Sequence, residues 1–336
     1  MKSKMALVLV LLALLGTALF LYFSHETPSP VVTTPTPSTN LVAPPPHAIA
    51  QTRTNGLSAK RDATQKKISK LKISTPVASI VGLDPQNATY NGRVKALHQL
   101  TRRLSEDDCK ALQMFLAGGM SGKNTLKPLE FDGVKNDVLG ILLKQEKIPD
   151  GLSQQVVDMY HDTGNDATWR DYCLQYMVPC YDVPASTDTN AATLRQDIEK
   201  SFWDAVTEKN KTTAGTSLIC LETLSKTHPD IDRAKVAATA YSLATDETCG
   251  EATRITALGT CAVMGKTEIL ATAKALAQTG DTIPLRMAAI AAVGDLGTTS
   301  DAELLRALSA DSEKRISFCS RAALDRLNKR FPVQAL

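Results

Sequence analysis

Motifs that carry enzyme chemistry are missing from this 336-residue chain. It has no G-x-S-x-G elbow to expose a nucleophile, no H-E-x-x-H pair to hold zinc beside a general base, and no G-x-G-x-x-G turn to cradle a dinucleotide. The five histidines, at 25, 47, 98, 161 and 228, never pair with one another or with a cysteine pair at zinc-ligand spacing. The expectation is a chain that is not an enzyme and carries no catalytic residue, cofactor or metal, with an enzyme of unrecognised type as the alternative. AGGMSGKN, 117–124, comes closest to a phosphate loop, but Ala117 stands at its first Gly position, Asn124 replaces the Ser or Thr, and a helix precedes it. It reads as a helix end and a loop.

Strand-like alternation is also absent, which removes the β architectures. Lysine and arginine are absent between Lys4 and Arg53, and ALVLVLLALLGTALFLYF, Ala6 to Phe23, lies within that gap. At about 1.5 Å per residue this run can cross a hydrocarbon core of ~30 Å. Residues 1–25 are therefore expected to form a single-pass transmembrane signal anchor. Lys2 and Lys4 hold the N-terminus in the cytoplasm and place the rest on the outer, periplasmic or extracellular side. Cleavage after Gly16-Thr17-Ala18 would instead give a secreted protein, whereas the continued apolar sequence through Phe20, Tyr22 and Phe23 favours an anchor.

Residues 26–84 read as a disordered linker. TPSPVVTTPTPSTNLVAPPP favours extended, polyproline-like chain. Beyond it Arg53, Lys60, Arg61, Lys66, Lys67, Lys70 and Lys72 are opposed by Asp62 alone. The remainder of the chain is net negative, so basic charge sits on an arm and not on a folded face, which argues against nucleic acid as a partner.

From Asp84-Pro85 onward apolar residues recur at three- and four-residue intervals, and the expectation is all-α. Ser105 with Asp108 and Ser300 with Glu303 resemble capping boxes, Pro284 suits a first helical turn, and Gly118 can end a helix. Residues 85–190 are irregular, whereas 191–336 contain repeats. RITALGTCAVMG and RMAAIAAVGDLG align at a register of 32, pairing Arg254 with Arg286, Ala257 with Ala289 and Gly265 with Gly297. A further copy at 31 sets Ile316, Cys319, Ala323, Leu324 and Leu327 where Leu285, Ala288, Ala292, Val293 and Leu296 stand. With Gly294-x-Leu296-Gly297, Ala302-x-x-Leu305-x-x-Leu308 and Asp311, residues 250–330 resemble the short HEAT-like repeats that also occur in phycobilin lyases. The resemblance implies an α-solenoid of antiparallel helix pairs that binds a protein partner. It carries no lyase chemistry over to this chain.

Seven cysteines are an odd number for an exported chain. Cys261 and Cys319 fall on apolar repeat faces, where free cysteine acts as a small hydrophobe. Cys173 and Cys180 are the candidate disulfide, because Pro179 could break the helix between them and turn the chain back.

Aromatic residues make up only 5% of the chain, so their concentration in MYHDTGNDATWRDYCLQYMVPCYD, 159–182, stands out. Trp169, Tyr172, Cys173 and Tyr176 share a helix face and are expected to be core. The candidate partner-binding residues are those outside that stripe: Tyr160, His161, Arg170 and Tyr181.

The charge asymmetry around residues 6–23 makes a direct prediction. A reporter fused after residue 336 will be active only in the exported compartment, and activity in the cytoplasm would overturn the topology.

Overall fold

Helix is the only regular structure in the computed structural model, which describes residues 64, 66–118, 126–183 and 191–332. These residues lie in one unit, Thr52–Leu336. The helices succeed one another as α1 (Thr75–Ile80), α2 (Tyr90–Leu97), α3 (Glu106–Gly118), α4 (Pro128–Leu142), α5 (Leu152–His161), α6 (Ala167–Tyr181) and α7 (Ala191–Thr207). They continue as α8 (Thr212–Leu224), α9 (Arg233–Thr245), α10 (Glu251–Val263), α11 (Leu270–Thr279), α12 (Ile283–Leu296), α13 (Ala302–Ser309) and α14 (Lys314–Arg330). Each odd-numbered helix packs on the even-numbered one that follows it. The even-numbered helices also pack on one another in succession, from α2 to α14.

An interior even-numbered helix is therefore covered on both flanks as well as by its odd partner, and its sequence has to supply apolar surface over most of its circumference. In α12, Leu285, Ala289, Ile290, Ala292, Val293, Gly294 and Leu296 are all buried. The residues are small because the axes approach closely. A Cβ at Gly294 would lie 2.6 Å from Cβ of Ala323 on α14, and one at Gly215 would lie 3.0 Å from the hydroxyl of Thr256 on α10.

A second repeated device joins the two helices of a pair. In several pairs the fourth residue of the even-numbered helix reaches back to a carbonyl at the C-terminal end of the helix before it, satisfying a group that the helix leaves open. Arg286 Nε donates to the Ala277 carbonyl at 3.1 Å, Arg170 Nε to Tyr160 at 2.7 Å, and Ser317 Oγ to Ser309 at 2.7 Å. Arg254 holds the same position in α10 and is buried.

Among the described residues, α14 has a neighbouring even-numbered helix on one flank. On its outward side Phe318 is 70% exposed, with Arg321 and Asp325 also exposed. At the repeat register these three stand where Met287, Ile290 and Gly294 stand in α12.

The folded region begins earlier than Asp84. Ile68, Val77 and Ile80 are buried, so the latter part of the expected linker belongs to the core. Two carboxylates in the first turn of α3 hold the incoming chain: Lys72 N–H donates to Asp107 at 2.9 Å and Ser74 N–H to Asp108 at 2.8 Å. The density of lysine there hides the few apolar residues that anchor the segment. Helix starts follow the expected chemistry with one displacement. Ser105 accepts from Asp108 N–H, and Thr282 caps α12 ahead of Pro284. The box expected at Ser300 and Glu303 forms instead at Thr298 and Asp301, whose carboxylate accepts from Thr298 N–H at 2.8 Å, because a 3-10 turn, Thr299–Asp301, precedes α13.

No helix among the described residues is long and apolar enough to cross a membrane. The apolar run 6–23, the Pro/Thr tract and residues 119–124 of the glycine-rich loop lie outside the described residues.

Ala289 and Ala292 are 0% and 1% exposed, so there is no room for a larger side chain at either. Ala289→Leu or Ala292→Leu will overpack the layer at a cost of about 1–3 kcal/mol, measured as a lowered urea midpoint with native circular dichroism. A midpoint equal to the parent's would place that face in solvent.

Candidate partner-binding face

α6 distributes its aromatic residues differently from the sequence expectation. Trp169 and Cys173 are buried as expected, but the buried arc continues through Leu174, Met177, Cys180 and Tyr181. Four neighbours, α4, α5, α7 and α8, pack against this helix, which displaces its apolar centre away from Tyr172 and Tyr176. Those two tyrosines are half-buried at the edge.

Of the residues assigned to partner binding, Tyr160 and Tyr181 are buried, Arg170 is half-buried and His161 is exposed. Tyr181 is 1% exposed. Its hydroxyl donates to Asp230 Oδ2 at 2.6 Å, its ring meets His228 edge-on at 4.8 Å, and its carbonyl accepts from Arg195 Nε. Burial and the Asp230 carboxylate push its phenol above the usual range. Tyr160 is buried under Arg170, whose guanidinium lies 5.0 Å from the ring while closing the end of α5. Arg170 is thus the counterpart of Arg286. His161 is exposed, stacks edge-on against Tyr160 and shares a 2.9 Å hydrogen bond with Ser201 Oγ of α7. Together Tyr160, His161 and Arg170 pin α5, α6 and α7 at one corner.

The proposed disulfide does not form, and all seven cysteines are free. Pro179 lies inside the last turn of α6 and does not break it, so Cys173 and Cys180 stay two turns apart on one helix. That separation is about 10 Å, beyond the reach of a disulfide. Burial pushes both thiols up, that of Cys180 to about 12, leaving neither activated as a nucleophile.

A different set of residues converges on the solvent side of α2, α4 and α6. α4 starts at Pro128, with the Glu130 carboxylate accepting from Lys127 N–H at 2.9 Å, and buries Val134, Val138, Leu139 and Leu142. Its outward stripe is Leu129, Gly133, Asp137 and Gly140, at spacings of four, four and three. Leu129 is 48% exposed. The two glycines lower the floor of this stripe, and tyrosines from both flanking helices lean over them. The hydroxyl of Tyr90, the first residue of α2, lies 3.7 Å from where a Cβ of Gly133 would be. The hydroxyl of Tyr176 lies 2.9 Å from the corresponding point of Gly140, held there by donating to the Asn136 carbonyl at 3.0 Å. Burial raises the Tyr172 phenol, with smaller contributions from Asp132, Asp137, Asp171 and Tyr90. Burial raises the Asp137 carboxyl above its ordinary range, against smaller opposing contributions from Asn136, His98 and Lys144. The result is a shallow aromatic trough with a carboxylate midway along it. Two glycines seven residues apart in an aliphatic helix are the sequence signal that marks it.

Behind the trough, on the buried side of α4, lies an ion pair. Lys135 Nζ and Asp132 Oδ1 are 3.1 Å apart and each side chain is 5% exposed. The ammonium also stands 4.0 Å from the ring centroid of Trp169 and 5.0 Å from that of Phe131. Burial lowers the lysine pKa and raises that of Asp132, which a second carboxylate, Asp166, raises further. Asp166 also caps α6 by accepting from Trp169 N–H at 3.0 Å, so the cluster fixes α6 against α4 and with it the position of Tyr172 and Tyr176.

Among the described residues no group of three or more His, Cys, Asp or Glu is placed to hold a metal. No family model, curated protein or solved structure matches this chain.

The buried pair makes a prediction with a definite sign. Lys135→Met strands the Asp132 carboxylate beside Asp166, at a cost of about 3–5 kcal/mol at neutral pH. A carboxyl whose folded pKa is raised adds stability below its unfolded pKa and loses it as pH rises through the folded value, so the deficit will shrink on acidification. Replacing both partners, Asp132→Leu with Lys135→Met, will restore most of the loss. A deficit unchanged with pH would show that water reaches the pair.

Proposed function

We propose that this chain is a HEAT-like α-solenoid that works as a protein-binding or scaffolding module, held by residues 6–23 at the membrane on its non-cytoplasmic side. It engages its partner along the trough formed by α2, α4 and α6. The observation that carries this reading is the pairing of Gly133 and Gly140 with Tyr90 and Tyr176, beside half-buried Tyr172 and exposed Leu129. Tyrosine presents a rigid, amphipathic contact surface at low entropic cost and is enriched where binding energy concentrates. Stacked helix pairs suit such a role because successive helices offer one extended surface. The recurrent arginine caps and the small residues between even-numbered helices support the repeat architecture. Catalysis, a cofactor and nucleic-acid binding have no part in this reading.

Affinity capture with the exported chain, followed by single substitutions, tests it. Tyr172→Ala and Leu129→Asp will each weaken capture of the parent's partner by about tenfold or more, while circular dichroism melts stay near the parent's. Tyr181→Ala will lower capture only in step with unfolding. Full capture by both trough variants would move the binding surface elsewhere.

A further inference from the structure

Among the described residues α14 ends the even-numbered layer, and its free flank faces solvent. The exposed residues there form a stripe, Lys314, Phe318, Arg321, Asp325 and Asn328, spaced by four, three, four and three. That spacing keeps side chains in line along a helix, and it is the one by which two helices pack lengthwise. We propose that the stripe is a contact between two copies of this chain, with α14 of one lying antiparallel to α14 of the other across a twofold axis at the level of Ala323.

The order of charges along the stripe selects this arrangement. About an axis at that level Arg321 of one copy comes opposite Asp325 of the other, and the symmetry makes the pair twice. Phe318 comes opposite Asn328 and Lys314 opposite Pro332, so no like charges face one another. A parallel pair in register would set Arg321 against Arg321 and Asp325 against Asp325, which is repulsive at both positions. Arg321 is available, since it makes no hydrogen bond or ion pair among the described residues. Asp325 holds Lys329 Nζ at 2.7 Å, but the two side chains are 62% and 74% exposed and such a pair contributes little. A guanidinium from across the axis offers that carboxylate a bidentate partner in place of a mobile ammonium.

Apolar surface on the same flank adds to the contact. Phe318 is 70% exposed. Leu324 is half-buried although Val293, its counterpart in the repeat, is fully buried, and close to the axis it meets Leu324 of the second copy. The approach differs from that of α14 on α12. There Gly294 lets the backbones come together, whereas here the helices meet over long side chains, at a wider axial separation that leaves room for Arg321 and Asp325 to pair. A single helix crossing belongs with the small, transient interfaces, below about 1,200 Å² in total. Association is therefore weak and depends on concentration.

The full chain carries the test. Isotope-labelled and unlabelled copies, each with a benzophenone amino acid at position 328, are mixed and irradiated, and the cross-linked peptides are identified by mass spectrometry. Links will join labelled to unlabelled chains, land on residues 314–321 and increase with concentration. Arg321→Asp alone, or Asp325→Arg alone, puts like charges at both facing positions and will cut the yield about tenfold. Mixing the Arg321→Asp chain with the Asp325→Arg chain restores both opposite pairs, and the yield between them will return to within about threefold of the parent's. Phe318→Asp will also cut the yield about tenfold. These side chains are exposed, so circular dichroism melts of the variants will stay near the parent's. Links confined to one chain, links scattered over the second copy, single variants as good as the parent, or a mixed pair no better than either variant alone would each overturn the proposal.

Discussion

The whole layer of even-numbered helices depends on how closely their axes can approach. Each interior helix must accept a neighbour on either flank and an odd-numbered helix beneath, and large side chains at the contacts would push them apart. Gly215 against Thr256 and Gly294 against Ala323 set that distance. Leu285, Ile290 and Val293 of α12 then fill the space that remains around the contacts. Small residues gain little from their own burial. Their value is in letting longer side chains on neighbouring helices reach one another.

The same logic, turned outward, makes the trough. Gly133 and Gly140 spare α4 its side chains on the solvent side, and tyrosines from α2 and α6 occupy the space above. Their placement depends on what lies behind α4. A buried ammonium between Asp132, Trp169 and Phe131 is a costly way to fill a core, since apolar residues of similar volume serve at least as well for stability. An ion pair with two aromatic faces has far fewer acceptable geometries than an aliphatic cluster. It therefore fixes the rotation of α6 relative to α4, and that rotation decides which aromatics face water.

Much of the architecture is legible in the sequence because it repeats. Arg254 and Arg286, a period near 32 and the alanine-rich run 285–297 identify stacked helices before any coordinate is known. Arg170 escapes the same reading. Its role as the counterpart of Arg286 emerges only when both are seen to close the preceding helix, since the sequence around it shares little else with the repeats. In the aromatic segment the region is legible but the orientation is not. A three- and four-residue period marks an apolar face, yet a helix with four neighbours has a buried arc broad enough that Tyr172 and Tyr181 exchange their expected places. Pro179 misleads for a related reason: in the last turn of a helix its missing N–H costs one hydrogen bond and need not turn the chain.

A stack of like units carries a hazard that a globule does not, since any open end is a template for another unit. On α14 the residue at the register of Gly294 is Asp325, and that of Ile290 is Arg321. A second copy laid there as α14 lies on α12 would have to bring its backbone onto a carboxylate where only a hydrogen atom fits, and to bury a guanidinium as well. Exposed Phe318 remains, but alone it cannot repay that burial. Stacking of a second copy on this face of α14 in the manner of α14 on α12 is thus disfavoured.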